Sequence, residues 1–461
     1  MIAKKEFDVA VIGGGPAGCE AAIHAAKYGK QVVLLEKDML GGTCLNHGCI
    51  PTKTLLHAVN LLFSINDSAR FGIASNSGTI EFEKLRARKD KVIELLQSAL
   101  LTRLEQHKVE LLMGKALFRS ANEIEVALTN GSIQTLYAHQ IIIACGSHPR
   151  KLATRGGDSS HIMYPSDILA LNSVPAELIF IGGGAVGLEL ATIMHRVGSK
   201  VSIIEIAPNL LPQEDSEITQ ILERALKKEG VLCYTGASIR EIEAEQTKCI
   251  VRLSQSGDEQ ALEATRVCVC IGQQPYLSEL GLEAIGIAFD QNGIKVDSRM
   301  QTSIPHIYAV GDVTGINLLA YVASAQGRIA GDNAAGRNES IDYNAIPRCV
   351  FTKPEIASVG LRESEAVAKG ITVCVLRSSL AANSYATITN ERRGIVKLIA
   401  EESGKLLGAH VAGTGAISFI SECALAIRLG ATVQDLAKTL HPHPTLSEAL
   451  QEASLSWPVE K

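Results

Sequence analysis

One strand–turn–helix–strand pattern occurs twice in the sequence, and this repeat limits the folds that the chain can adopt. In the first copy, an apolar β-branched run at 7–12 leads into G-G-G-P-A-G at 13–18, and a second apolar run ends at Glu36. In the second copy, the run at 178–181 leads into G-G-G-A-V-G at 182–187, and the second run ends at Glu205. Each copy predicts a β-α-β unit with a glycine-rich turn before its helix.

The two copies also share their internal spacing. Gly13 precedes Glu36 by 23 residues, and Gly182 precedes Glu205 by the same 23. A single G-x-G-x-x-G motif is weak evidence because glycine-rich turns are common, but two copies with an acidic residue in register are strong evidence. We therefore predict an α/β fold with two Rossmann-like dinucleotide-binding domains.

The glycine-rich turn and the acidic residue each have a chemical purpose in such a unit. Glycines let the backbone approach a pyrophosphate, which the N–H groups and the dipole at the start of the helix then bind. Two such sites indicate two cofactors, of which a flavin and a nicotinamide nucleotide are the usual pair. Residues 206–209 contain no Arg or Lys. If the second site takes the nicotinamide, the carboxylate of Glu205 therefore favours NAD over NADP.

The segments outside the repeat predict an inserted domain and a different C-terminal domain. The buried runs 139–146 and 266–272 both end in glycine, and we interpret them as crossings into and out of the inserted domain. After about residue 341 the dinucleotide pattern is absent and an α+β domain is predicted. The individual elements expected are helices at 81–107, 318–335, 416–429 and 446–455, and strands at 109–113, 123–128, 133–137, 307–310, 371–376 and 395–399.

Composition excludes several other classes of protein. The 461 residues are 46% hydrophobic and 20% charged, which is not the composition of a disordered chain. The net charge of −5 indicates no nucleic-acid-binding surface, and no apolar run approaches the roughly 18 residues of a membrane span. The predicted strand at Phe7 leaves no room for a signal peptide, and most of the 11 cysteines lie in apolar runs. We therefore expect a cytoplasmic protein.

Cys44 and Cys49 stand apart from the other cysteines. On a regular helix, residues five apart differ by about 140° and rise about 7.5 Å, too far for a disulfide. Gly48 and Pro51 suit the distortion that a disulfide would need, and a disulfide in a reducing cell is more often catalytic than structural. The alternatives are two free thiols or half of a metal site. Lys53 lies one turn beyond Cys49, where an ammonium would lower a thiol pKa, unless it is an ordinary solvated lysine.

A second group of chemically useful residues lies near the C-terminus, in the segment H-P-H-P-T-L-S-E at 441–448. Histidine is the side chain suited to moving protons near neutral pH, and Glu448 is placed to hold the imidazole of His443 by one ring nitrogen. The alternative is structural, because Thr445 and Glu448 also have the spacing of a helix capping box.

Taken together, the two glycine motifs, the Cys44–Cys49 segment, the segment from Thr302 to Asp312 and the histidine segment resemble the pyridine nucleotide–disulfide oxidoreductases over essentially the whole chain. The similarity is greatest to members that oxidise dihydrolipoamide. It implies an FAD-binding domain at 1–146 with a second part at 272–341, an NAD-binding domain at 147–271, and a dimerisation domain at 342–461. The active protein would be a homodimer.

The resemblance also implies site residues. FAD would be bound by Gly13, Gly15, Gly18, Glu36, Gly42, Thr43, Lys53, Gly146, Asp312 and Ala320, and NAD by Gly182, Gly184, Gly187, Glu205 and Gly272. Asp312 would hold the flavin ribitol, and the helix after Gly311 would direct its positive end at the flavin. Glu189 would pair with Lys53. The catalytic residues would be Cys44, Cys49, His443, Glu448, Lys53 and Glu189.

The implied reaction is the oxidation of protein-bound dihydrolipoamide and the reduction of NAD. His443, oriented by Glu448, would accept a proton from the substrate, whose thiolate attacks Cys44. Cys49 would pass electrons to the flavin, and His443 would serve the disulfide of the other subunit. The expected partner is the lipoyl domain of an acyltransferase of a 2-oxo acid dehydrogenase complex, or the carrier protein of the glycine cleavage system.

Some residues depart from the family pattern, and two other functions stay open. The departures are His47, Gln273, Gln274, Tyr321 and Tyr385.

One alternative is an NADH-dependent reductase of another disulfide, although Glu205 and the histidine segment argue against glutathione disulfide as its substrate. The other is a non-catalytic flavoprotein, which the intact cysteine and histidine segments disfavour.

Overall fold

The computed structural model describes residues 5–74 and 78–458. Up to residue 150 the strands are Lys5–Ile12 (β1), Val32–Glu36 (β2), Glu110–Phe118 (β3), Glu123–Leu128 (β4), Ile133–Ile143 (β5) and Ser147–Pro149 (β6). Between 151 and 271 they are Ile162–Met163 (β7), Glu177–Ile181 (β8), Lys200–Glu205 (β9), Leu232–Thr235 (β10), Ala237–Ala244 (β11), Cys249–Gln255 (β12), Asp258–Ala264 (β13) and Arg266–Val269 (β14). Beyond 271 they are Gln273–Pro275 (β15), Phe289–Asp290 (β16), Gly293–Ile294 (β17), Ile307–Ala309 (β18), Arg348–Val350 (β19), Ile356–Gly360 (β20), Val373–Ser379 (β21), Ile395–Glu401 (β22) and Leu406–Ala412 (β23).

The helices follow in the same chain order. They are Pro16–Lys27 (α1), Gly42–Asn46 (α2), Cys49–Asn66 (α3), Phe82–Gln106 (α4), Pro165–Leu169 (α5), Ala185–Arg196 (α6), Ser216–Glu229 (α7), Leu282–Ile285 (α8), Ala320–Ala334 (α9), Glu363–Ala368 (α10), Ser384–Ile388 (α11), Ala416–Leu429 (α12), Val433–Lys438 (α13) and Glu448–Leu455 (α14). Two 3₁₀ turns span Ser68–Phe71 and Gly311–Thr314. Among the described helices, none is long and apolar enough to cross a membrane.

The described residues form two compact units, of which the first contains those within 5–54, 84–150 and 272–342. Its sheet places β1 between β2 and β5 in parallel, with β3 beside β2 and β18 beside β5. Helix α1 packs closely on α9, because a Cβ on Gly327 would lie only 2.1 Å from the carbonyl oxygen of Ala17. The predicted first Rossmann-like unit is confirmed.

One expectation in this unit is wrong. The patterns at 133–137 and 139–146 predicted separate strands, but they form the single strand β5. Its first half pairs with β4 alternately exposed and buried, and its second half is buried between β1 and β18. The change from alternating to continuous burial produced the apparent break in the sequence pattern.

The second unit contains the described residues within 55–83, 151–271 and 343–458. It holds a parallel sheet in the order β10-β9-β8-β14-β7, an antiparallel meander β11–β13, and an antiparallel sheet in the order β19-β20-β23-β22-β21. Helices α12 and α14 pack on that last sheet around a core that includes Phe419, Ile420 and Leu450. The second Rossmann-like unit and the C-terminal α+β domain are confirmed.

Candidate active site

The two glycine-rich turns have the same geometry. Gly13 and Gly182 adopt φ values of 108° and 105°, which favour glycine. A Cβ on Gly18 would lie 1.8 Å from the Gly13 carbonyl oxygen, and a Cβ on Gly187 would lie 2.3 Å from that of Gly182. The first and last glycines of each motif are therefore required by the turn itself.

The middle glycine of each motif borders open space instead. A Cβ on Gly184 would meet no atom within 4 Å, and one on Gly15 would approach only Gly42, at 3.9 Å. Both residues cap the N-terminus of a helix, α1 or α6, where backbone N–H groups are free to bind an anion. This open cradle at a helix start fits the pyrophosphate of a dinucleotide.

Each acidic residue that follows the turn is already engaged with the backbone. Glu36 accepts a 2.7 Å hydrogen bond from the N–H of Gly14 and a 2.8 Å bond from that of Asp38. Glu205 repeats both, at 2.7 Å from Gly183 and 2.8 Å from Ala207. A carboxylate has about four lone-pair positions, so each can still accept from ribose hydroxyls while it holds the turn.

The helix is interrupted between the two cysteines. Helix α2 contains Cys44 and ends at Asn46, His47 leaves the helical conformation with φ −134°, and α3 begins at Cys49. This break brings the thiols together. Their hydrogen bond, together with burial, raises the pKa of the Cys44 thiol well above its usual value, and the charge of Lys53 opposes the rise. The proximity fits a redox-active disulfide.

Asn46 contributes to this arrangement, and sequence reasoning missed it. Its buried amide nitrogen lies 3.3, 3.1 and 2.9 Å from the carbonyl oxygens of Met39, Leu40 and Gly42. Its oxygen accepts a 2.7 Å hydrogen bond from the Gln97 side chain. The signal in the sequence was a polar residue beside Leu45 in a segment that had to be buried. Asn46 fixes the loop that carries Cys44.

Glu448 satisfies parts of both interpretations of the histidine segment. One carboxylate oxygen lies 2.8 Å from Nδ1 of His443, and the other accepts a 2.8 Å hydrogen bond from the N–H of Thr445. The predicted capping box is wrong, because α14 begins only at Glu448 and the Thr445 hydroxyl donates to Pro442. The Thr445 N–H and His443 lower the pKa of Glu448, so the carboxylate stays ionised beside the imidazole.

The remaining predicted residues lie in the same two units. Partial burial raises the pKa of Asp312, and the carboxylate accepts a 2.6 Å hydrogen bond from Ser147. Gly146 and Gly272 have positive φ, and Thr43 is exposed on α2. Glu189 is buried and accepts a hydrogen bond from the N–H of Phe351, while its pairing with Lys53 stays a prediction.

The residues after Gly311 follow the predicted pattern. Gly311–Thr314 form a 3₁₀ turn, and the helix expected at 318–335 is α9, Ala320–Ala334. That this helix directs its positive end at a flavin stays a prediction. Asp312 and Ala320 lie in the first unit together with the cysteine pair, whereas Glu189, His443 and Glu448 lie in the second. Within the described residues, no group of three or more potential ligands could hold a metal ion.

Comparison with known proteins agrees with this geometry. Residues 7–327 match the family model of pyridine nucleotide–disulphide oxidoreductases, and residues 346–454 match the dimerisation domain of that family. A dihydrolipoyl dehydrogenase of Thermus scotoductus is 41% identical, with 98% of this chain and 97% of that protein covered. One of Chlorobaculum tepidum is 39% identical, with 97% and 96% covered. The solved structure of RclA, an HOCl-induced flavoprotein disulfide reductase of Escherichia coli, is 27% identical with a TM-score of 0.87 and covers 98% of this chain and 100% of that chain.

These findings establish the chemistry of the chain at the level of the family. The matched models cover both Rossmann-like domains and the C-terminal domain, so the protein is an NAD-dependent flavoprotein disulfide oxidoreductase that uses FAD and NAD. Its dimerisation domain makes it a homodimer. The chain belongs to the pyridine nucleotide–disulfide oxidoreductases.

Proposed function

We propose that the protein is a dihydrolipoyl dehydrogenase, which oxidises protein-bound dihydrolipoamide to lipoamide and reduces NAD to NADH. The observation that carries this proposal is the 2.8 Å contact between His443 and Glu448, in a chain that also brings two thiols together. Oxidation of a dithiol requires a base for its first proton, and a histidine held by a carboxylate is suited to that task. His443 is 69% exposed, as a base for a bulky protein-bound substrate must be.

The proposed roles follow from this chemistry. His443 accepts a proton from one substrate thiol, and the resulting thiolate attacks Cys44 of the Cys44–Cys49 disulfide, so that Cys49 leaves as a thiolate. The second substrate thiol then attacks the mixed disulfide, which releases cyclic lipoamide and leaves both enzyme sulfurs reduced. Bound FAD supplies the relay that carries these two electrons to NAD. His443 acts on the cysteine pair of the other subunit.

Residues that hold the cofactors are proposed for each Rossmann-like unit. FAD is held by the turn at 13–18, Glu36, Gly42, Thr43, Lys53, Gly146, Asp312 and Ala320. NAD is held by the turn at 182–187, Glu205 and Gly272. Glu189 pairs with Lys53. The open space beside Gly15 and Gly184 supports this assignment of the two turns.

The wider assignment has the same basis. The proposed domains are the FAD-binding parts 1–146 and 272–341, the NAD-binding domain 147–271 and the dimerisation domain 342–461. The substrate is carried by the lipoyl domain of an acyltransferase or by a glycine cleavage carrier protein, in the cytoplasm. Relatives named dihydrolipoyl dehydrogenase, 36–41% identical over nearly their whole length, support this choice of substrate.

A second candidate is an NADH-dependent reductase of a different disulfide. The observation in its favour is the similarity in structure to RclA, which is named a disulfide reductase. Such an enzyme would carry electrons in the opposite direction, from NADH to a disulfide substrate. It would have less need of a base that deprotonates an incoming dithiol.

A steady-state assay of the purified yellow protein separates the two. NADH formation from NAD and dihydrolipoamide is followed at 340 nm, with NADP in place of NAD as one control and glutathione disulfide plus NADH as another. The proposal expects rapid NAD reduction that is lost in Cys44→Ser. No turnover with dihydrolipoamide, despite bound FAD and a reducible cysteine pair, would direct the search to another disulfide.

A further inference from the structure

A second pair of cysteines lies in the second Rossmann-like unit, which we propose binds NAD. The reaction proposed above does not use this pair. Cys268 is fully buried in β14, and Cys270 follows the end of that strand and is partly exposed. Side chains two residues apart on a strand point to the same face, and here the two sulfur atoms are 3.4 Å apart. The sequence indicated small core cysteines in an apolar run, and the proximity of the two sulfur atoms is evident only in the structure.

The matching positions of the first Rossmann-like unit show that the fold needs no thiol here. The N–H of Ala144 donates to Ile12 at 2.7 Å, just as that of Cys270 donates to Ile181 at 2.7 Å. Ala144 is therefore the counterpart of Cys270, and Ile142, two residues earlier, is the counterpart of Cys268. Two apolar residues fill these places in one unit, and two thiols fill them in the other.

Cys270 packs directly against the glycine-rich turn of the NAD unit. Its carbonyl oxygen would lie 2.4 Å from a Cβ on Gly182, and its own Cβ would lie 3.3 Å from a Cβ on Gly187. Protein interiors are close-packed, so a displacement of Cys270 is felt by its neighbours. A chemical change at Cys270 therefore reaches the turn and the start of α6.

The thiols of Cys268 and Cys270 differ in their accessibility to oxidants. Burial and the hydrogen bond with Cys270 raise the pKa of the Cys268 thiol, and Cys268 has no exposed surface. Oxidants act on accessible sulfur, so the partly exposed Cys270 is the group that they reach first. Cys268 is then placed to attack the oxidised sulfur from 3.4 Å away.

We propose that Cys268 and Cys270 are a modification site, a second redox pair that hydroperoxides convert to a disulfide and that weakens NAD(H) binding when oxidised. The Cys270 sulfur attacks the peroxide, breaks its O–O bond and becomes a sulfenic acid, with release of one water or alcohol. The Cys268 sulfur displaces the hydroxyl as a second water and forms the S–S bond. The two sulfurs lose two electrons, which reduce the peroxide, and a dithiol reverses the change.

Disulfide formation has a geometric consequence at the NAD turn. The sulfur separation must fall from 3.4 Å to about 2.05 Å, so Cys270 has to move relative to Gly187 and Gly182. The turn that presents N–H groups to the nucleotide is then displaced. The Cys44–Cys49 pair and the FAD turn lie in the first unit, so electron transfer between FAD and that pair does not depend on this change.

The test uses the FAD-loaded homodimer with its Cys44–Cys49 pair oxidised. The enzyme is treated with hydrogen peroxide, the excess is removed with catalase, and free thiols are labelled with N-ethylmaleimide for peptide mass spectrometry. The rate of flavin reduction by NADH is then measured by stopped flow over a range of NADH concentrations. NADH is the only substrate, so the result is independent of the dihydrolipoamide assignment.

The proposal expects a 268–270 disulfide and at least a tenfold rise in the NADH concentration for half-maximal rate, reversed by dithiothreitol. Each variant is compared with its own untreated form. Cys270→Ala, which copies Ala144, is expected to show no change on treatment, and Cys268→Ala serves if that variant does not fold. N-ethylmaleimide label on both Cys268 and Cys270 after peroxide treatment would overturn the proposal. So would a 268–270 disulfide that leaves the NADH dependence unchanged. An effect of peroxide that is equally large in the variants would also overturn it.

Discussion

At the scale of single residues, Glu448 shows how one carboxylate serves the chemistry and the local structure together. One oxygen orients His443 and the other ties the N–H of Thr445. We predict that His443→Gln slows dithiol oxidation about 10²–10⁴-fold, the usual contribution of a general base. Flavin reduction by NADH is expected to stay within about twofold. Equal losses in both half-reactions would indicate a folding defect.

The pH dependence follows from the lowered pKa of Glu448. A carboxyl whose folded pKa is depressed contributes fully above its unfolded value of about 4.3, and loses its contribution only as the pH falls through the lower folded value. Glu448 is therefore ionised throughout pH 5–8. We predict that Glu448→Gln lowers kcat/KM for the dithiol by a similar factor throughout pH 5–8, because the carboxylate that orients His443 is ionised over that whole range. An unchanged kcat/KM would contradict this role.

Asn46 carries a second prediction at this scale. Its amide joins three carbonyl groups of the cysteine loop to Gln97, and a buried polar group left without its partner costs about 1–3 kcal/mol. We expect Asn46→Ala to increase the mobility of the backbone around residues 39–42, which precedes Cys44. Alkylation of Cys44 in the reduced enzyme should then be faster. Gln97→Ala, which removes only the last of these bonds, is the matched control and should have the smaller effect.

At the scale of elements, each glycine-rich turn contains glycines that its backbone geometry requires and a glycine that borders open space. Gly187 is required by the turn, whereas Gly184 faces open space beside the start of α6. We predict that Gly187→Ala destabilises the protein by about 1–3 kcal/mol, as overpacking does. Gly184→Ala should keep the thermal midpoint and weaken NADH binding at least tenfold. Calorimetry and NADH titration check both, and the same outcome for both variants would contradict this distinction.

Elements were predictable where one periodicity continues and one face is buried. The long helix expected at 81–107 is α4, Phe82–Gln106, because its charged pattern is unbroken. The break between α2 and α3 was foreseen only as a requirement of the cysteine spacing. Where it falls depends on Gly41, Gly42 and the tertiary bonds of Asn46. Helix propensity alone does not contain those contacts.

At the scale of the whole molecule, the repeat in the sequence was sufficient to predict both Rossmann-like units, whereas contacts between distant segments were not predictable. Lys397 is buried and lies 2.9 Å from Asp215, 3.2 Å from Glu217 and 2.8 Å from Glu363. These partners stand in other elements of the second unit, up to 182 residues away. No local sequence pattern predicts this cluster, because Lys397 is a single lysine within the mainly apolar sequence of strand β22.

This cluster gives a prediction for stability. Removing one partner of a buried ion pair leaves the other charge uncompensated, which costs about 3–5 kcal/mol. Lys397→Met should therefore lower the urea midpoint of unfolding clearly. The matched control is Lys200→Met, whose pair with Glu177 is exposed and whose loss should cost under about 1 kcal/mol. Similar midpoints for the two variants would show that the cluster does not stabilise the fold.

The reductive half-reaction alone tests the proposed function most directly. The oxidised enzyme is mixed without NAD and without oxygen with dihydrolipoamide, and flavin absorbance and alkylation of Cys44 are followed in time. We predict that both signals change rapidly in the unmodified protein and at least a hundredfold more slowly in His443→Gln. In Cys44→Ser, no alkylation occurs at position 44. An enzyme that NADH reduces readily but dihydrolipoamide does not would contradict the proposed function.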